Sequence, residues 1–216
     1  MRRELNHYVQ SAKHVIIGNT CHTTLNNIET SCGLRYEYLQ KLEVKPRKKI
    51  QKILIAPEGL PSVFPMLNYV LDQLKNRQEY QLTFRFHPFL SYEKIRTKFG
   101  FDLGTVANAN VSQALLHDDL MNHDLCIYWG STVSLEALSL GMPLIHYDIQ
   151  TVLSYDPLFR CRHLKWTVTK YNSLPDVIEK INSLNNKEFS QQINLAKEYM
   201  NNYFYPVTDE NLEKFI

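Results

Sequence analysis

The residues with the clearest chemical potential are Gly130, Ser131 and Thr132, which separate the apolar run 125–129 from a predicted helix that ends near Leu140. A glycine lets the backbone approach a ligand closely, and hydroxyls and free amides at a helix start can bind an anion such as phosphate. The same residues are also typical of an ordinary helix N-terminus, where serine or threonine caps the first turn. By themselves they leave phosphate binding and structural capping equally supported.

A second candidate is His87, which follows the alternating segment 80–86 and precedes Pro88. Proline restricts the residue before it to an extended backbone, so the direction of the imidazole is set in advance. An imidazole at a strand end can donate a hydrogen bond to a phosphate oxygen and stabilise charge that develops on a leaving group. We therefore predict His87 as the catalytic residue, with a purely structural histidine as the alternative.

Two acidic residues complete the candidate site. Glu58 stands beside Gly59 in a tight turn after the β-branched run 50–56. Glu136 lies one turn after Thr132, close enough to reach a ribose hydroxyl. The alternative for Glu136 is that the helix dipole favours an acidic residue in the first turn.

Segments with strand and helix patterns alternate over most of the chain after residue 50. The predicted strands are 50–56, 80–86, 125–129 and 164–169, one near Val111 and one that starts at Leu144. The predicted helices are 60–74, 91–98, 115–121, an amphipathic segment that ends near Leu140, 174–184 and 188–204. This alternation predicts an α/β fold, a Rossmann-like parallel sheet with helices on both faces. Right-handed crossovers place the carboxyl ends of parallel strands at one edge, so the three candidate corners are expected to meet there.

The amino-acid composition limits the classes of protein to which this chain can belong. The chain has 216 residues, of which 44% are hydrophobic and 21% charged, which suits one substantial α/β domain. A net charge of +2 argues against a dedicated nucleic-acid binder, which carries a strong basic excess. Four cysteines without metal-ligand spacing are predicted to be free thiols: Cys21, Cys32, Cys126 and Cys161. With no signal peptide and no apolar run of about 20 residues, we predict a cytoplasmic protein without metal or other cofactor, and leave peripheral membrane contact open.

A family resemblance rests on the order of these motifs. A strand ending in His-Pro, then a Gly-Ser-Thr corner opening a helix with Glu136 and closing on Gly-Met-Pro-Leu-Ile, resembles the C-terminal domain of GT-B glycosyltransferases. The pattern is similar to that of capsule and surface-polysaccharide enzymes, namely bacterial sialyltransferases, Kdo transferases and polymer glycerophosphotransferases. Bacterial sialyltransferases carry acidic-Gly, His-Pro and Ser-Ser/Thr motifs, to which the pairs 58–59, 87–88 and 131–132 are similar. The resemblance covers residues 50–205.

The resemblance implies a glycosyltransferase, or its donor-binding domain, that transfers a CMP-, UDP- or CDP-linked sugar to a glycan acceptor in surface polysaccharide synthesis. His87 would bind the departing nucleotide phosphate. The substrate-binding residues would be Glu58, Gly59, Pro88, Gly130, Ser131, Thr132 and Glu136. In the sialyltransferases the acidic-Gly motif belongs to the acceptor-side domain and supplies the catalytic base. Here Glu58 follows the first strand of the nucleotide domain, so we interpret it as a donor-side loop residue.

The expected domain organisation has three parts. Residues 1–46 are interpreted as a remnant βα unit of an acceptor-side domain plus a linker, whose basic residues 45–49 are expected to be solvated. Residues 47–205 are the expected Rossmann-like nucleotide-sugar-binding domain, and residues 206–216 are an expected C-terminal helix. Because an acceptor domain does not fit into residues 1–46, we expect one half of a GT-B architecture, from a truncated or excised gene product.

Two other functions remain open from the sequence. A non-catalytic nucleotide-sugar-binding or subunit-interaction module would use the same fold and dock an acceptor-domain partner or a second copy of the chain. A relative of nucleotide-sugar epimerases would share the architecture as well. Asp118 and Asp119 are interpreted as helix-stabilising residues, with contact to a nucleobase as the alternative. Arg85 is interpreted as a residue of the surface or of the sheet flank.

Overall fold

A computed structural model of the protein describes residues 41–150 and 155–201 together with Leu39. The six strands are β1 (Lys52–Pro57), β2 (Gln81–Phe84), β3 (Ala109–Val111), β4 (Leu125–Trp129), β5 (Leu144–Tyr147) and β6 (Lys165–Val168). Within residues 42–150 and 155–201 the helices are α1 (Phe64–Leu74), α2 (Tyr92–Phe99), α3 (Leu116–Asn122), α4 (Val133–Ser139), α5 (Leu174–Ser183) and α6 (Asn186–Asn201). Short 3-10 turns occupy Pro61–Val63 and Pro88–Leu90. The predicted C-terminal helix over 206–216 and most of the predicted βα unit within 1–46 lie outside the described residues.

The strands form one parallel sheet in the order β3-β2-β1-β4-β5-β6. The chain builds one half of the sheet outward from β1 to β3, then returns to the centre and builds the other half from β4 to β6. The order therefore reverses between β1 and β4, where Pro57 pairs with Trp129. In open α/β sheets, ligands bind in the crevice at the carboxyl end of such a reversal.

Helices cover both faces of the sheet, as the alternating pattern predicts. On one face Ile53 and Ile55 of β1 pack with side chains of α1, α2 and α5. On the other face Leu54 and Ala56 pack with side chains of α3, α4 and α6. Because alternate residues of a strand point to opposite faces, a strand covered on both sides is a continuous apolar run, as in β1.

The helix after the Gly-Ser-Thr corner differs from its prediction. We expected an amphipathic helix, but the six residues 134–139 of α4 are all buried. The reason is that α4 packs between the sheet and α6, so neither side of it faces solvent. The polar residues of α4 are therefore buried together with its apolar ones, so the pattern of polar and apolar residues does not show which side of α4 faces solvent.

The basic segment 45–49 is only partly solvated. The Lys45 ammonium donates hydrogen bonds to the carbonyl oxygens of Leu120 and His123, which lie at the end of α3. Arg47 donates in the same way to carbonyls at the end of α5. The last carbonyls of a helix lack internal partners and carry partial negative charge, so both cations cap helices. Desolvation lowers the pKa of Lys45 to about 8.

Cys126 and Cys161 are buried free thiols, while Cys21 and Cys32 lie outside the described residues. Desolvation raises the pKa of Cys126 to about 12, which makes it an unreactive core residue. Within residues 41–150 and 155–201, no helix is long and apolar enough to cross a membrane.

Candidate functional site

The ends of β1 and β4 bring the first and third predicted corners together. The backbone amide of Glu58 donates to the carbonyl oxygen of Trp129 at 3.1 Å, which holds the two strand ends side by side. Gly130 has φ +68°, and a β-carbon built on it would lie 3.0 Å from Oε2 of Glu58 and 3.2 Å from its Cβ. The side chain of Glu58 therefore folds over Gly130, which has to be a glycine for that approach.

The second corner meets the first through Gly59. A β-carbon built on Gly59 would lie 2.6 Å from Nδ1 of His87 and 2.9 Å from its Cγ. The imidazole thus packs directly on the backbone of residue 59, and the end of β2 joins the ends of β1 and β4. All three predicted corners lie at this edge of the sheet.

His87 is oriented by its two C-terminal neighbours. Its backbone is extended, with φ −71° and ψ 143°, as Pro88 requires. Nδ1 of the ring accepts a hydrogen bond from the amide of Phe89 at 3.2 Å. In the neutral ring the proton therefore lies on Nε2, which remains available as a donor to a ligand. Pro88 itself is exposed and contributes by restricting His87.

Ser131 and Thr132 behave differently from one another. Oγ of Ser131 accepts a hydrogen bond from the amide of Val133 at 3.4 Å, and its carbonyl oxygen accepts one from Ser134 Oγ at 2.8 Å. Thr132 occupies the N-cap position of α4 but makes no side-chain cap hydrogen bond there. The sequence left phosphate binding and capping open for both residues. Ser131 has a structural role, because its hydroxyl and carbonyl support the turn. The half-buried Thr132 hydroxyl is not used as a cap.

Glu136 lies inside the protein with 5% of its surface exposed. Its position in α4, between the sheet and α6, explains this burial. A ribose contact by Glu136 stays a prediction.

Tyr155 belongs to the same corner but was not predicted as a site residue. Its Cβ would lie 3.4 Å from a β-carbon on Gly130, and its ring packs against Trp129 with centroids 5.4 Å apart. The sequence pattern around it is irregular, so only the fold brings it to β4. Asp156, the next residue, anchors it.

A buried polar cluster holds this segment on the sheet. The hydroxyl of Tyr128 donates to Oδ1 of Asp156 at 2.7 Å, and the ammonium of Lys165 donates to Oδ2 at 2.5 Å. The amide of Leu158 donates to Oδ1 at 2.9 Å. Burial by itself would raise the pKa of Asp156, but the Lys165 ammonium and the hydrogen bonds to the carboxylate, joined by His146 whenever that ring is protonated, outweigh it and lower that pKa. Asp156 is therefore ionised and ties three elements together.

Two buried histidines make stability depend on pH. Desolvation lowers the pKa of His146, whose Nε2 finds no hydrogen-bond partner among the described residues, and also lowers the pKa of His123. In the folded protein both side chains therefore take up protons at a lower pH than in the unfolded chain, where protonation begins below a pH of about 6.5. The stability from these groups is thus complete above that pH and is lost below it, by up to about 1.4 kcal/mol per pH unit for each group.

Urea unfolding at pH 7.5, 6.5 and 5.5 measures this loss directly. His146→Gln, which keeps a similar volume but does not titrate, is expected to reduce the slope of unfolding free energy against pH. An identical slope in His146→Gln and the wild type would assign the pH dependence to other groups.

Arg85 and Asp119 form an ion pair at the edge rather than separate surface features. Nη1 of Arg85 lies 2.7 Å from Oδ2 of Asp119, which is buried in the first turns of α3. The sequence interpretation of Arg85 as a residue of the sheet flank missed this partner, because 34 residues separate the two. For metal ions, no group of three His, Cys, Asp or Glu residues suited to hold one occurs in the described part of the chain.

Comparisons with known proteins identify the fold. No protein-family model matches this sequence, and neither does any curated protein. The calicheamicin glycosyltransferase CalG4 superposes with a TM-score of 0.51 at 14% identity, covering 76% of this chain and 42% of that one. The glycotransferase of kitacinnamycin superposes with a TM-score of 0.50 at 12% identity, covering 76% of this chain and 43% of that one. The predicted resemblance to GT-B glycosyltransferases is confirmed for the fold.

The chain therefore has the Rossmann-like α/β fold of these enzymes and spans less than half of their length. The wall teichoic acid polymerase TagF, in its H444N variant, covers 88% of this chain and 48% of its own at 14% identity. The TM-score of that superposition is 0.49.

Proposed function

We propose that the protein is a glycosyltransferase, or the donor-binding domain of one, that binds a nucleotide-activated sugar at the carboxyl edge between β1 and β4. The observation that carries this proposal is the packing of His87 against Gly59 and of Glu58 against Gly130. Three sequence-distant corners thereby meet at the reversal of strand order, where open α/β sheets bind ligands in a crevice.

The proposed chemistry assigns a different task to each side of the crevice. Nε2–H of His87 donates to an oxygen of the departing phosphate and stabilises its developing charge. The Glu58 carboxylate only accepts hydrogen bonds, so it suits hydroxyl groups of the donor rather than its phosphates. In the transfer, an acceptor hydroxyl oxygen bonds to the sugar, the sugar–phosphate bond breaks, and the hydroxyl proton passes to the leaving phosphate or to solvent.

The remaining site residues support these two. Gly59 and Pro88 hold the imidazole in place, and Gly130 admits the side chain of Glu58. We propose that Thr132 adds a hydroxyl next to the phosphates, while Ser131 shapes the turn. The acceptor is a surface glycan in this proposal, and the cytoplasm, including the inner face of the membrane, is the site of action.

Calorimetric titration with CMP, UDP and CDP tests donor binding. We expect at least one nucleotide to bind, and His87→Ala to weaken that binding about 10–100-fold, the range for a hydrogen bond to a charged group. His163→Ala is the matched control, since His163 precedes β6 at the opposite edge of the sheet. If none of the three nucleotides binds at millimolar concentration, the donor-site proposal is wrong. If His87→Ala binds a nucleotide with unchanged affinity, His87 does not belong to the site.

A subunit-interaction module is the second candidate because apolar side chains are exposed near the crevice. Phe89, next to His87, is 80% exposed, and Leu60 and Leu115 follow β1 and β3 with exposed side chains as well. In an interaction module these side chains would belong to one apolar contact surface, which is typical of an interface. Sedimentation analysis separates the two candidates: an obligate oligomer without nucleotide binding favours the module, and a monomer that binds nucleotide favours the enzyme.

A further inference from the structure

Arg85 lies on the same side of the sheet edge as His87. Phe84 and Phe86 both contact Phe101, with ring centroids 5.8 and 6.4 Å away, and stack on each other at 6.1 Å. They therefore share one face. In an extended chain successive residues alternate, so Arg85 and His87 share the opposite face, on the side of α3 and α4.

The backbone at this point is still extended. The amide of Arg85 donates to the carbonyl oxygen of Ile55 at 2.9 Å, which continues the ladder between β1 and β2 by one residue. The φ and ψ angles of His87 are extended too. At about 3.3 Å per residue, the two side chains start about 7 Å apart.

The guanidinium of Arg85 is held through one of its nitrogens. Nη1 donates to Oδ2 of Asp119 at 2.7 Å and to the carbonyl oxygen of Ala114 at 2.8 Å. Oγ of Ser112 donates to the same Asp119 oxygen at 2.6 Å. Asp119 is only 4% exposed, whereas the side chain of Arg85 is 28% exposed. The structure thus holds the guanidinium through Nη1, while part of the Arg85 side chain stays exposed.

The nitrogens that these contacts leave unused are the ones that bind phosphate best. Both contacts use Nη1, so Nε and Nη2 have no hydrogen-bond partner among the described residues. These two N–H groups form a planar fork that matches two oxygens of one phosphate, which a lysine cannot reproduce. An ion pair that served only to bury Asp119 would not need this fork.

We propose that Arg85 is a second phosphate-binding residue, so that the site selects a nucleoside diphosphate-linked donor over a nucleoside monophosphate-linked one. This inference rests on the proposed function and decides between donor classes that the sequence leaves open. His87 takes one phosphate and the fork of Arg85 takes the other. When the sugar–phosphate bond breaks, the electron pair stays on the leaving diphosphate, whose charge both residues stabilise.

The test compares affinities for CDP with CMP, and for UDP with UMP, by calorimetry on the full chain. In the wild type the diphosphate is expected to bind at least tenfold more tightly than the monophosphate of the same base. Arg85→Gln is expected to lower this affinity ratio below about threefold. For Arg85→Lys the ratio is expected to lie between those of the wild type and Arg85→Gln, because lysine keeps the charge but not the fork. Arg77→Gln is the control, since Arg77 precedes β2 at the opposite edge of the sheet.

The ratio separates recognition from folding. Arg85→Gln removes a partner of the buried Asp119, and any partial unfolding lowers both affinities by the same factor while the ratio stays constant. An unchanged ratio in Arg85→Gln, or equal binding of CMP and CDP by the wild type, overturns the inference and leaves the donor site intact. If no nucleotide binds the wild type, the proposed function fails, and this inference with it.

Discussion

Replacement of Asp156 by alanine is expected to lower the free energy of unfolding by about 3–5 kcal/mol, the cost of leaving a buried charge without its partner. The Lys165 side chain is only 5% exposed, and its ammonium lies 2.5 Å from Oδ2 of Asp156. The same change deprives the Tyr128 hydroxyl and the Leu158 amide of their acceptor. For a chain of this size the midpoint of thermal unfolding is expected to fall by roughly 6–20 °C.

Thermal and urea unfolding of Asp156→Ala measure this effect. Asp72→Ala is the matched control, because Asp72 also pairs with a lysine but on an exposed helix surface, where such pairs contribute about 0.5 kcal/mol or less. Adding Lys165→Met to Asp156→Ala is expected to restore part of the loss, since it removes the unpaired charge. Equal destabilisation by Asp156→Ala and Asp72→Ala would contradict a buried, charge-paired cluster.

Replacement of Gly130 by alanine is expected to weaken nucleotide binding at least tenfold. The left-handed backbone at φ +68° costs a residue with a side chain about 1–2 kcal/mol. In addition, the new β-carbon would lie 3.0 Å from Oε2 and 3.2 Å from Cβ of Glu58 and 3.4 Å from Cβ of Tyr155, so the Glu58 side chain has to shift from its position over the end of β4. The site is therefore damaged beyond the effect of backbone strain.

Gly100→Ala separates the two contributions. Gly100 ends α2 with φ +65°, but a β-carbon there meets nothing within 4 Å. Both variants are expected to lose a similar 1–2 kcal/mol of stability from the backbone, and only Gly130→Ala is expected to lose nucleotide affinity as well. Equal nucleotide affinity in the two variants would place the ligand away from the end of β4.

The charge distribution at the edge has a consequence for ligand orientation. Arg85 and His87 lie over the end of β2, whereas the Glu58 carboxylate lies over Gly130 at the end of β4. A nucleotide sugar with its phosphates toward β2 and its hydroxyls toward Glu58 would match this distribution. In our proposal the phosphates therefore extend from Thr132 toward His87 and Arg85 at the end of β2, rather than lying at residues 130–132 alone.

Local pattern alone was enough to predict most elements. The apolar run 125–129 coincides with β4, and the predicted helix 91–98 coincides with α2, which Ser91 caps through its hydroxyl. Whether a segment forms a strand or a helix depends largely on residues that are close in sequence. The periodicity of apolar residues and the capping residues therefore suffice to predict these elements. Likewise, the preference of Pro88 for an extended residue before it determines the backbone of His87 without any tertiary contact.

The alternation of strands and helices also predicted that three corners would share one edge. Parallel strands with right-handed crossovers place all their carboxyl ends together whatever the strand order. The sequence therefore identified the edge and its candidate residues. It did not identify which corners touch, because that depends on the order of strands within the sheet.

The tertiary structure alone decided the contacts between residues far apart in the chain. It placed β1 beside β4, which brings Glu58 onto Gly130, and it paired Arg85 with Asp119 and Asp156 with Lys165. It also buried Glu136 by packing α6 over α4. Such contacts depend on which elements become neighbours and in what register, and no residue's own conformational preference carries that information.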